Sequence, residues 1–82
     1  MKVSPAEMEV LLFIYQEAKK SEFFGVPTKK VVERFGPKAY VYLTRLKKKG
    51  YIKTLVYGFN RPTEKAIRLL EEVVDHVPDN KN

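Results

Sequence analysis

Apolar positions along this chain fall in short blocks whose spacing changes from helical to alternating and back to helical. Ser4-Pro5-Ala6-Glu7 has the form of a capping box with proline at the first helical position, which starts a helix there. Met8, Leu11, Leu12, Tyr15 and Ala18 then recur at 3.6-residue spacing to about Lys20 and give that helix a core-facing stripe. Val10, Phe13 and Ile14 lie outside the stripe as surplus apolar residues. Ser21 to Val26 is a short connection that ends in a brief strand at Gly25-Val26, and Pro27 holds Val26 extended. Thr28 is placed to cap a second helix, Lys29 to Phe35, with Val31 and Phe35 inward. Gly36-Pro37 breaks it and opens a third helix, Pro37 to Lys49, with Ala39, Tyr42, Leu43 and Leu46 on one side. Gly50 supplies a left-handed cap. Tyr51–Val56 and Phe59–Arg61 read as a hairpin joined through Tyr57-Gly58, with Tyr57 and Phe59 covering the core. Pro62 stops it and Thr63 caps a last helix to about Val77, before Pro78 and a polar tail. The expected fold is mainly α with a small β-hairpin.

Eighty-two residues with no repeat and no linker make one domain, placed at residues 1–78, with a tail at 79–82. At 44% hydrophobic the chain is too apolar for disorder. Without cysteine it has neither a disulfide framework nor a thiolate metal site. The longest apolar run, Val10 to Tyr15, is far short of a membrane span. Nothing at the N-terminus resembles an export signal, so the expected location is the cytoplasm. The lysine- and glutamate-rich composition also fits the protein of a thermophile.

Charge changes the picture more than composition does. Thr28 to Arg61 holds Lys29, Lys30, Arg34, Lys38, Arg45, Lys47, Lys48, Lys49, Lys53 and Arg61 against one acid, Glu33. That segment carries +9, its flanks −1 and −2, which gives the net +6 of the chain. A cationic middle between acidic flanks points to one face that meets phosphates. Two helices joined by a Gly-Pro corner, the second amphipathic and cationic, form a helix-turn-helix, whose second helix fits the major groove of DNA.

Leu43-Thr44-Arg45-Leu46-Lys47-Lys48-Lys49-Gly50-Tyr51-Ile52 resembles the recognition-helix-to-wing junction of winged-helix (winged helix-turn-helix) transcription regulators of archaeal and bacterial type. Pro62-Thr63-Glu64-Lys65-Ala66 is similar to the start of their post-wing helix, with Ala66 in place of the usual glycine. The resemblance covers residues 4–77. It implies the order helix, short strand, helix, recognition helix, hairpin wing, helix. It also implies a transcription regulator bound to double-stranded DNA.

On this reading Lys38, Tyr40, Val41, Thr44, Arg45 and Lys48 are the groove-facing residues. Arg45 has a planar fork suited to guanine or phosphate and no acid one helical turn away. Lys29, Lys30, Lys53 and Arg61 are assigned to the DNA backbone. In the last helix Ala66, Ile67, Leu69, Leu70, Val73, Val74 and Val77 span an arc of roughly 160°, wider than a surface helix needs. With the surplus on the first helix, this suggests a homodimer joined through Val10, Phe13, Ile14, Ile67, Leu70 and Val74, with paired half-sites about 34 Å apart. The expected regulator is a repressor that occludes its operator. The alternatives are a protein–protein interaction module on the same fold, or a binder of RNA or structured nucleic acid. No metal site, cofactor motif or small-molecule pocket is legible, and the lone His76 reads as a solvated helix-end residue rather than a catalytic one. An enzyme is not expected.

Overall fold

The computed structural model describes residues 2–76. Of Tyr57, Val74, Asp75 and His76 only the backbone is described, and Val77, Pro78 and the tail lie outside the described residues. In chain order the elements are α1 (Pro5–Lys20), β1 (Val26–Pro27), α2 (Thr28–Phe35), α3 (Lys38–Lys48), β2 (Ile52–Leu55), a 3-10 turn (Val56–Gly58), β3 (Phe59–Pro62) and α4 (Glu64–His76). The fold is mainly helical with a small antiparallel sheet in the order β1-β3-β2. No helix among the described residues is long and apolar enough to cross a membrane.

The capping box forms as written in the sequence. The Glu7 backbone N–H donates to Ser4 Oγ, and the Ser4 N–H donates to Glu7 Oε1, both at 3.1 Å. The helix then turns differently from the expected stripe. Its buried residues are Glu7, Val10, Leu11, Ile14 and Ala18. Leu12 is exposed, and Met8 and Tyr15 are half-buried. Val10 and Ile14 are therefore core residues, not surplus. α1 is packed by α2, α3, α4 and the sheet together, so it needs a wider apolar arc than a helix with one covered side.

Val26, Val31, Ala39, Leu43, Leu46, Ile52, Ala66 and Leu70 complete the core around α1. The α3–β2 junction follows from Gly50, whose φ of +83° is open to glycine and strained for other residues. There the Tyr51 N–H donates to the Leu46 carbonyl (2.9 Å) and the Gly50 N–H to the Lys47 carbonyl (3.0 Å), the Schellman pattern. Thr63 ties this corner to α4. Its hydroxyl donates to the Gly50 carbonyl (2.7 Å) and accepts the Ala66 N–H (3.2 Å). Lys65 reinforces the corner by donating to the Lys49 carbonyl and lying 4.6 Å over the Tyr51 ring.

Thr28 does not cap α2. Pro27 occupies the cap position, and the Thr28 hydroxyl donates instead to the Gly58 carbonyl (3.2 Å). Its oxygen accepts from Asn60 Nδ2 (2.9 Å), whose other proton goes to the Val26 carbonyl (3.1 Å). Asn60 is buried in the central strand. It joins β1, α2 and the hairpin turn, so the hairpin is held against the start of α2.

Candidate nucleic-acid interface

α3 has two distinct sides because its sequence has two. Ala39, Leu43 and Leu46 are buried in the core, with Tyr42 half-buried beside them. The other side exposes Lys38, Tyr40 (57%), Val41 (48%), Thr44, Arg45 and Lys48. All six groove-facing residues expected from the sequence thus share one open surface, and α3 contains no acid to neutralise it. Lys38 and Lys48 have no hydrogen-bond or ion-pair partner among the described residues. The Thr44 hydroxyl donates to the Tyr40 carbonyl one turn back (2.9 Å), leaving its oxygen free to accept.

The remaining cations divide into free and committed ones. Lys29 is exposed and unpartnered near the start of α2, and Lys47 near the end of α3. Neither α2 nor α3 has an acid in its first turn or a side-chain cap. Lys29, Lys30 and Lys38 thus add positive charge where the helix dipole is already positive. This arrangement does little for stability and makes an anion welcome. Lys30 is 3.2 Å from Glu17, whose carboxyl it holds below the ordinary range, assisted by Lys20. Arg34 lies over the rings of Phe35 (4.9 Å) and Phe13 (6.0 Å), so its charge serves the fold.

The fold adds detail to three of the expected contacts. Arg45 does have an acid within reach: its Nη1 lies 3.9 Å from Glu7 Oε2, an ion pair across α1 and α3 that sequence distance concealed. Its side chain stays 57% exposed, so the guanidinium remains available to a ligand. Arg61 donates from Nε to the Phe24 carbonyl (3.1 Å) and from Nη2 to the Phe23 carbonyl (2.6 Å). It is a clamp on the α1–β1 turn rather than a free backbone contact. Lys53 is exposed and unpartnered, but Ile52 beside it is buried. Lys53 therefore points to the sheet's outer side, away from the core.

The proposed dimer surface also changes. Val10, Ile14 and Leu70 are buried within the domain and have no surface to give a partner. Phe13 packs edge-on against Phe35 with ring centres 5.4 Å apart, and Ile67 is half-buried. The side chain of Val74 lies outside the described residues. What the first and last helices do expose is Leu12 and Val73.

The residue least visible in sequence is Glu7. It is a carboxylate only 2% exposed, and it accepts from Lys49 Nζ at 2.7 Å and from the Ser4 N–H. The same ammonium donates to the Lys2 carbonyl (2.7 Å). The Lys49 hydrogen bond, aided by Ser4 and Arg45, holds the Glu7 carboxyl below the ordinary range against the opposing effect of burial. Glu7 thereby anchors the C-terminal end of α3 to α1.

No protein-family model matches the chain, and neither characterised proteins nor solved structures give a significant match. Any assignment of function therefore rests on the surface itself.

Proposed function

We propose that this chain is a winged helix-turn-helix protein that binds double-stranded DNA and regulates transcription by occupying an operator. The observation that carries the reading is the division of α3. One side is locked into the core by Ala39, Leu43 and Leu46, and the other presents Lys38, Tyr40, Val41, Thr44, Arg45 and Lys48 without an acid. A rigid helix with such a face suits a groove about 12 Å wide. Tyr40 and Val41 offer apolar contact to thymine methyl groups, and Arg45 a fork for guanine or phosphate. Lys29, with Lys30 beside it, lies where a phosphate can also meet the free N–H groups of α2. The α1-β1-α2-α3-β2-β3-α4 order and the short hairpin supply the helix-turn-helix and wing. The hairpin turn is tied back to Thr28 and has no charged residue, so α3 rather than the wing dominates contact.

Two copies on a two-fold axis would join through the exposed Leu12 and Val73 and present paired recognition helices. Such a dimer represses by occlusion, and its operator is palindromic. Selection of bound sequences from a random duplex pool tests this. The expected outcome is an inverted repeat with half-site centres about 10 base pairs apart or a multiple of that. Enrichment of a single half-site would remove the dimer. Preference for single strands or structured RNA over every duplex in competition would remove the DNA assignment.

A further inference from the structure

The outer face of the sheet carries a second surface, unrelated to α3. The antiparallel register sets Lys53 opposite Arg61 and Leu55 opposite Phe59. The alternate positions Ile52, Asn60 and Pro62 are buried toward the helices, so these four side chains point outward. Leu55 and Phe59 lie close over Gly25, where an added Cβ would stand 3.4–3.5 Å from them. Phe23 (66% exposed) and Val56 (75% exposed) form the walls of a mainly apolar groove of about 550 Å³ above this floor. β2 is an edge strand in the order β1-β3-β2, so alternate backbone N–H and C=O groups along it have no strand partner.

The charge on this face is unusual. Lys53 and Arg61 are directly opposed like charges on neighbouring strands, a pairing that destabilises a sheet. No acid lines the groove among the described residues. Lys53 has no partner among the described residues, and Arg61 makes hydrogen bonds only through Nε and Nη2. A like-charge pair with no carboxylate partner among the described residues, its Arg61 met only by carbonyls, fits one occupant when it stands beside exposed apolar side chains and an open strand edge. We propose that this face binds an extended acidic segment of a partner protein, which adds to β2 as a further strand. On the strand face turned to the groove, apolar side chains enter between Phe23 and Val56, and a carboxylate two residues along the same face meets Lys53 beside Arg61. A second copy of this chain is disfavoured there, because its own β2 would bring another lysine and no carboxylate to the edge. Duplex DNA would satisfy the cations but leave the apolar groove uncovered.

The surface is separate from the DNA reading, and its test reads the two independently. Short random peptides displayed on phage are panned on the folded full chain with excess duplex DNA present. Recovered sequences are expected to carry Asp or Glu two residues from Val, Ile, Leu or Phe, so that both fall on one face of the added strand. A synthetic recovered peptide should lose about tenfold in affinity with Lys53→Glu and with Val56→Asp. Both residues are exposed, so neither variant should lower the melting temperature, and Lys53→Glu, which sets an acid opposite Arg61, should hold or raise it. Arg45→Ala should leave peptide binding unchanged, and Val56→Asp should leave DNA binding unchanged. The proposal is overturned by recovery of no sequence, or of neutral or basic sequences. Peptide affinity indifferent to both substitutions overturns it too. Loss of DNA affinity in Val56→Asp would give the face to nucleic acid.

Discussion

Leu46→Ala is expected to lower the unfolding free energy by about 2–5 kcal/mol, out of a total on the order of 4–12 kcal/mol for a domain of this size. Leu46 is fully buried on the inner side of α3, within one core cluster with residues of α1, the sheet and α4. Truncation removes its apolar burial and leaves a cavity that so small a domain fills poorly. Its carbonyl also receives the Tyr51 N–H in the Schellman corner, so loosening here spreads to β2. Urea unfolding should show a lower midpoint with little change in slope. Val41→Ala is the matched control on the same helix. Being exposed, it should stay within about 0.5 kcal/mol of the parent. Equal midpoints for the two variants would mean that α3 is not seated as described.

Glu7→Gln carries the second large effect, and its signature is pH dependence. The substitution keeps shape and removes the charge that meets Lys49 and Arg45. Breaking a buried pair costs about 3–5 kcal/mol. Here Lys49 and especially Arg45 keep access to water, so about 2 kcal/mol at neutral pH is expected. The folded carboxyl lies below its ordinary value. The stabilisation is therefore complete above the unfolded value of about 4.3 and lost as pH falls through the lower, folded one. Glu17 shifts the same way but is present in both proteins and drops out of the difference. Unfolding curves from pH 7 to pH 3 should begin apart and converge in acid. Parallel curves would show that Glu7 does not hold the α1–α3 contact as a carboxylate.

Much of the fold was legible because local chemistry and tertiary packing agreed. The Ser4–Glu7 box, the Gly50 corner, the Thr63 cap and the hairpin each follow from short-range stereochemistry. The open side of α3 was legible for the same reason, since Ala39, Tyr42, Leu43 and Leu46 fall together at 100° per residue, although Tyr40 and Val41 interrupt the polar side. The rotation of α1 was not. Position 7 begins a stripe through Val10, Leu11, Ile14 and Ala18, but a glutamate there makes it look like solvent-facing sequence. Lys49, more than forty residues away, is the main partner that makes that burial tolerable, with Arg45 and the Ser4 N–H beside it. The partners of Arg61 and Thr28 are hidden from the sequence in the same manner. These partners are carbonyls of Phe23, Phe24 and Gly58, and no side-chain pattern announces a carbonyl.

The most direct measurement is duplex DNA affinity across a salt series, for the parent and for Lys38→Ala combined with Arg45→Ala. Both residues are exposed, so the variant should remain folded. Parent log affinity is expected to fall linearly with log salt, by about 0.9 per phosphate contact. The double variant should bind at least about tenfold more weakly at physiological salt, with a shallower slope. Affinity that ignores salt, or two superimposable lines, would contradict α3 as the surface that meets DNA.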